Sequence, residues 1–307
     1  MKRILPIVAL ILILCLTLTL ASSASTEVLY TQNSHVSMWK ITSRITASEG
    51  NIMYLLGSLS VSEKSIFPLE NQLEKVYEEC SKIVVETDIS KTTQDQTVTA
   101  LLKYGLLSKT TIDKVLTKEQ YTKADNLIKK YTLNKKSLSA YKSFMPWVID
   151  SLIANLAFSN SQNFIQNPVT SYFLEKAKKD GKSIVELESP NSQLKRLSSM
   201  SYSLQGAMLE NTIMFAEKGP ETVKNATELW KDGDIEGLNE LYTFYKGSQA
   251  AAYNTFLIEK NKKVCEYIIK CLKSGGKYFT ITDISMLTGK SGIINMLKEK
   301  GYKVEQQ

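Results

Sequence analysis

The sequence predicts one α/β (α+β) domain, a mixed central sheet drawn from both ends of the chain and topped by a large helical cap. Three observations lead there. Short runs rich in β-branched and apolar residues lie near both termini, and long stretches with apolar residues three and four apart fill the middle. An amphipathic helix also falls between strands early in the chain, as layered α/β folds require. The 307 residues leave room for one large domain or two small ones once a targeting segment is set aside. A composition of 43% hydrophobic and 22% charged residues excludes a disordered tail, a collagen-like fibre and a multi-span membrane protein.

The elements follow in order. Lys2 and Arg3 form a basic start, Ile4 to Leu20 is apolar, and Ala21-Ser22-Ser23-Ala24 supplies small residues for cleavage. Residues 1–24 are therefore expected to be a signal peptide, or an N-terminal membrane anchor if uncleaved. The apolar stretch falls short of the roughly 20 residues a membrane span needs. Residues 25–307 then form a domain that is secreted or at the cell surface, with membrane association possible through the N-terminal segment. Val36 to Thr42 and Asn51 to Leu59 read as strands around the polar turn Ala47 to Gly50. Pro68 opens a helix reaching Cys80. Lys82 to Ile89 is a third strand, rich in β-branched residues.

From Thr97 to Phe164 the pattern is helical, with Pro146 interrupting it. Tyr172 to Lys179 is a short helix stopped by Gly181, and Ser183 to Leu187 another strand. Pro190 starts a second helical stretch to Lys273, broken near Gly219-Pro220 and Gly247. The cap thus comprises about residues 97–165 and 191–250. The tail reads as a strand from Lys277 to Ile284, a helix from Ser291 to Lys300 stopped by Gly301, and a last strand from Tyr302 to Glu305.

Composition narrows the function. The 38 basic residues exceed the 31 acidic ones by seven. Spread along the chain, that surplus suits a solvated surface better than a nucleic-acid groove, so no nucleic acid is expected. Beyond the leader three cysteines remain, Cys80, Cys265 and Cys271, an odd number that sits on apolar helical stripes. They read as buried free thiols. The single histidine, His35, excludes most histidine-based zinc sites.

At Trp39-Lys40-Ile41 and Tyr54-Leu55-Leu56-Gly57-Ser58-Leu59-Ser60 the chain resembles the TraB/GumN family, which includes pheromone-shutdown proteins and the TIKI Wnt-cleaving metalloproteases. Val84-Val85-Glu86-Thr87-Asp88 resembles the family's acidic strand. Tyr172-Phe173-Leu174 with Ala177 and Gly181, then Glu186-Leu187-Glu188, looks like its central segment. Glu259-Lys260-Asn261 resembles its Glu-Arg-Asn helix. Lys277-Tyr278-Phe279 through Gly289, Leu297, Gly301-Tyr302 and Val304 resembles its C-terminal strand–helix–strand. The match runs in order over about residues 36–307.

The departures fall on the family's signature, two Gly-x-x-His motifs that the resemblance implies meet at a metal-dependent active site. The first motif position reads Gly57-Ser58-Leu59-Ser60, and the second Asp283-Ile284-Ser285-Met286. Both histidines are absent, and the family's arginine is Lys260. Serine is a poor ligand for such metals and methionine prefers soft ions. No catalytic residue or resident metal is therefore expected. The resemblance then implies a TIKI-like pseudoenzyme that binds a peptide or small amphipathic ligand between sheet and cap.

The acidic residues leave an alternative. On one strand, Glu86 and Asp88 would share a face about 7 Å apart. Joined by Asp283 and Glu188, they would make an oxygen-rich site for Mg, Ca or Mn and a divergent metal-dependent hydrolase or peptidase. The competing reading is a structural network neutralised by Lys260. That lysine lies on its helix's apolar stripe and must meet an anion or snorkel outward. Glu86, Asp88, Glu188, Lys260 and Asn261 are the candidate residual site. Gly289-Lys290-Ser291 lacks the earlier glycine of a phosphate loop. A nucleophilic Ser60 would have only Lys260 as its base. Tyr121, Tyr131, Tyr141 and Trp147 read as cap core or groove lining.

Overall fold

The computed structural model describes residues 36–43, 51–88, 91, 93–132, 134–159, 163–244 and 250–307. The leader, His35, the turn at Ala47–Gly50 and the break at Gly247 lie outside them.

Among the described residues eight strands form: β1 (Met38–Thr42), β2 (Ile52–Ser58), β3 (Val61–Glu63), β4 (Lys82–Val85), β5 (Phe164–Gln166), β6 (Ser183–Glu186), β7 (Lys277–Asp283) and β8 (Lys303–Gln306). Six of them make one mixed sheet in the order β6-β4-β7-β2-β1-β8, while β3 and β5 pair separately. The hairpin of β1 and β2 is antiparallel, with Trp39 opposite Leu55. β7, from the far end of the chain, enters between β2 and β4, parallel to both. β8 closes against β1. The sheet is completed only when the C-terminus arrives, because two of its strands come from the last 31 residues.

The parallel strands are nearly continuous apolar runs, as strands covered on both faces must be. Ile83, Val84, Val85, Leu55, Leu56, Phe279 and Ile281 are all buried. The helices α1 (Asn71–Glu79) and α6 (Pro168–Lys179) press Leu73, Tyr77 and Phe173 onto Phe279. Between α1 and α6 runs a polar seam, in which Tyr77 donates to Asp180 (2.9 Å) and Lys176 pairs with Glu74 (3.2 Å).

A second apolar core belongs to the cap. It is formed by α2 (Gln94–Tyr104), α3 (Ile112–Val115), α4 (Lys118–Tyr131), α5 (Pro146–Ser159) and α8 (Tyr202–Lys218), with α7 (Pro190–Ser199) packed against it. Capping boxes start α2 at Thr93 and α4 at Thr117, each closed by a glutamine three residues on. Tyr141 and Trp147 are buried in this core, with Tyr121 and Tyr131 beside it. The cap expected to about residue 250 is smaller in one respect. Ala226 and Trp230 of α9 (Pro220–Lys231) and Leu238 of α10 (Ile235–Phe244) join the sheet core instead. The chain ends with α11 (Ala250–Ser274), α12 (Ile284–Leu287) and α13 (Ile293–Glu299) before β8.

Several boundaries differ from the sequence reading. The helix after Pro68 starts at Asn71, and Pro146 opens α5 instead of interrupting a helix, since proline suits a first turn. The three-residue strands β3 and β5 and the single-turn α12 are too short to leave a periodic signal. Cys80, Cys265 and Cys271 are buried and free. Burial raises all three thiols, Cys80 to about 12. Among the described residues no helix is long and apolar enough to cross a membrane.

Candidate functional site

The carboxyl ends of β2, β4 and β7 point to one edge of the sheet, where ligands of parallel α/β sheets bind. Each supplies a motif residue. Gly57 pairs with Thr282 across β2 and β7, and Ser58 with Asp283. Position 57 is tight for any side chain: a Cβ there would lie 2.2 Å from Ile284 Cδ1 and 3.1 Å from Leu287 Cδ1, so the isoleucine would have to move. Its carbonyl accepts a hydrogen bond from Trp230 Nε1 (2.6 Å), fixing α9 against the strand end.

Ser60 is exposed just past β2, and its Oγ donates to Asp283 Oδ2 (2.6 Å). Asp283 Oδ1 accepts from the Ser285 N–H (2.9 Å) and Oγ (2.6 Å), the bonds of an N-cap starting α12. Where the resemblance implies a glycine, this chain has an aspartate that links the two motif segments. Glu86 Oε1 accepts from the Asp283 N–H (2.8 Å), and Glu86 Oε2 accepts from Lys260 Nζ of α11. Ser60, Asp283, Glu86 and Lys260 thus form one continuous network, with the Glu86 and Lys260 side chains about a quarter exposed. The carboxylate partner expected for Lys260 is Glu86.

The other candidates go elsewhere. β4 ends at Val85, so Glu86 and Asp88 do not share a strand face as the longer expected strand implied. Past the strand end the Glu188 N–H donates to Glu86 O (2.9 Å) and Thr87 Oγ1 to Glu188 O (3.1 Å). Asp88 is fully buried and lies 3.7 Å from Lys91, which also pairs with Glu186 at 2.7 Å. Glu188 is held by Arg196 of α7 through both carboxylate oxygens, at 3.1, 3.2 and 2.8 Å. Asn261 is buried and donates to Ser291 O (2.9 Å), bracing the Gly289–Ser291 turn. Met286 is 1% exposed and belongs to the sheet core.

Two residues of this wall are missing from the sequence reading. The Arg196 guanidinium stacks over Phe256 of α11 at 4.9 Å, one helical turn before Lys260. Contacts therefore run from Glu188 through Arg196 to Phe256 of α11, and one turn further along that helix from Lys260 to Glu86. A signal for Arg196 existed: it is one of three arginines in a lysine-rich chain. Arginine is the residue for a bidentate, stacked position.

A metal of the kind the family implies does not fit these residues. The oxygens of Glu86 and Asp283 already accept from protein donors, and Met286 faces the core. Among the described residues no group of three or more His, Cys, Asp or Glu is arranged to hold an ion. Two shallow cavities lie away from the network, one lined by Ile66, Phe67, Pro68 and Trp230, the other by Cys265, Met296 and Lys300.

The profile of the TraB/PrgY/gumN family matches residues 37–306. The chain belongs to the TraB/PrgY/gumN family. Among the described residues the matched span covers every strand of the sheet and all thirteen helices, so the family assignment holds for the entire described fold. No curated protein and no solved structure matches the chain.

Proposed function

We propose that this TraB/PrgY/gumN-family protein is a non-catalytic member that works outside the cytoplasmic membrane. In this reading it binds a peptide or small amphipathic ligand at the carboxyl edge of the sheet, beneath the cap. One observation carries the reading: in place of two histidines, the motif segments are joined by the Ser60–Asp283 hydrogen bond, with Glu86 and Lys260 completing the network. Carboxylate oxygens that each already accept a hydrogen bond from protein donors are less available to coordinate an ion. The wall of Phe256, Arg196 and Lys260 offers one aromatic face and two cations with balancing carboxylates. That mixture suits a ligand carrying both apolar and charged groups.

The test is a peptide library incubated with the purified protein and read two ways, for retained peptides and for cleaved ones. Retention weakened at least tenfold by Phe256→Ala, without new cleavage products, is expected. Cleavage lost on chelation would replace this reading with an enzymatic one.

A further inference from the structure

The cavity beside Trp230 combines an apolar floor with two charges. Its volume is about 190 Å³, and Val36, Ile66 and Trp230, all buried, line it at depth, with Phe67 half-buried on its wall. Glu70 and Lys231 complete the lining, the glutamate half-buried and the lysine exposed.

Contacts from separate parts of the chain hold this cavity in shape. Trp230 Nε1 donates to Gly57 O (2.6 Å), and Trp230 O accepts from Ser37 Oγ (2.9 Å). The Phe67 N–H donates to Lys64 O (3.1 Å), closing the short turn that carries Ile66. Lys231 Nζ donates to Ser65 O (3.2 Å), which ties the end of α9 to that turn. An ammonium has three protons to give, so this bond leaves two for a ligand. Glu70 stands at the N-cap of α1 and makes no capping bond there. Among the described residues neither Glu70 nor Lys231 has an ion-pair partner.

We infer that this cavity binds a free apolar α-amino acid, with its side chain on the Trp230 floor, its carboxylate on Lys231 and its ammonium on Glu70. Size selects the side chain. A cavity of about 150 Å³ holds benzene, whereas larger ligands occupy about 300–1,000 Å³. The space therefore takes one group the size of a phenylalanine or leucine side chain and excludes a stretch of peptide. Charge selects the head. One cation and one carboxylate on the same lining complement a zwitterion, while a simple anion would be repelled by Glu70. No residue of this cavity belongs to the Ser60, Asp283, Glu86 and Lys260 network, so its failure would leave the ligand-binding proposal standing.

The experiment titrates the full chain with phenylalanine, N-acetylphenylalanine, phenylalaninamide and glycine, followed by ligand-observed NMR. Phenylalanine is expected to saturate one site, at least tenfold more tightly than glycine and at least fivefold more tightly than either capped form. Glu70→Gln should weaken phenylalanine at least fivefold but N-acetylphenylalanine less than twofold, because that ligand has no ammonium. Lys231→Met should weaken phenylalanine equally and spare phenylalaninamide, which has no carboxylate. Circular dichroism checks that both variants fold. Absence of saturable phenylalanine binding at about 10 mM would overturn the inference. So would capped forms that bind as tightly as phenylalanine, or variants whose losses ignore the ligand's own charges. The dipeptides Gly-Phe and Phe-Gly separate a free amino acid from a peptide end. Either one binding as tightly as phenylalanine would reassign the cavity to a peptide end and overturn the free amino acid as its ligand.

Discussion

The Glu86–Lys260 pair offers the sharpest energetic test of the network. Lys260→Met keeps the aliphatic stem and removes the ammonium, leaving Glu86 with the Asp283 N–H alone. Glu86→Gln keeps an acceptor for that N–H and removes the charge. The two side chains are 23% and 25% exposed, between the regimes for which magnitudes are established. Solvent-exposed pairs couple by about 0.5 kcal/mol, and truncating one partner of a fully buried pair costs about 3–5 kcal/mol. Each single variant should therefore lose about 1–2 kcal/mol of unfolding free energy, with a coupling of about 1 kcal/mol in the double variant. Urea denaturation of all four proteins gives the cycle. Repeating it at 1 M salt, where the Debye length is about 3 Å, should leave at least half the coupling, because a partly buried pair is screened less than an exposed one. Free energies that add within about 0.3 kcal/mol would refute the network as a physical unit.

Three further outcomes follow from other contacts. Gly57→Ala should cost about 1–3 kcal/mol by overpacking against Ile284, and Ile284→Val, which removes the clashing Cδ1, should recover part of that loss in the double variant measured by thermal melting. Lys182 Nζ donates to the carbonyls of Tyr77, Glu78 and Cys80 at 2.6, 3.1 and 2.7 Å, so Lys182→Met should destabilise by about 2–3 kcal/mol in chemical denaturation, with Lys182→Arg milder. Asp150, between α5 and α8, has a buried Oδ1 without a hydrogen-bond partner, and burial pushes its carboxyl up to about 6, opposed by a hydrogen bond from Thr212. Its native-state proton affinity exceeds that of the unfolded chain, so the native state gains stability as pH falls from about 6 towards 4 and carries a penalty above that window. Asp150→Asn should be more stable than the parent by about 1–3 kcal/mol at pH 7.5, and the gain should shrink at pH 4.5; a gain independent of pH would refute the assignment.

The sheet was legible because its strands are long apolar runs whose composition survives any context, as in Tyr54–Leu56 and Lys82–Val85. Lys277–Asp283 was legible from its alternation and β-branched residues, and its place between β2 and β4 explains why strands from opposite chain ends belong to one layer. What escaped was set by contacts between segments distant in sequence. Trp230 looks like any amphipathic helix residue until its Nε1 is found on Gly57 O, which is why α9 was assigned to the cap. The acidic residues carried the same ambiguity. Two-residue spacing puts Glu86 and Asp88 on one face only while the strand lasts, and it stops at Val85. Lys260 was readable as needing an anion, because an ammonium near an apolar stripe has few alternatives. Asp283 as an N-cap was not readable, since the single turn it starts is too short to show periodicity.

Metal content is the measurement closest to the central proposal, that the Ser60, Asp283, Glu86 and Lys260 network holds no catalytic ion. The purified protein, dialysed against excess Zn²⁺ or Mn²⁺ and then freed of loose ions, should retain far less than one equivalent by mass spectrometry, and its melting temperature should not respond to chelator. One tightly held ion per chain, lost together with peptide cleavage when Glu86 or Asp283 is replaced, would contradict the account.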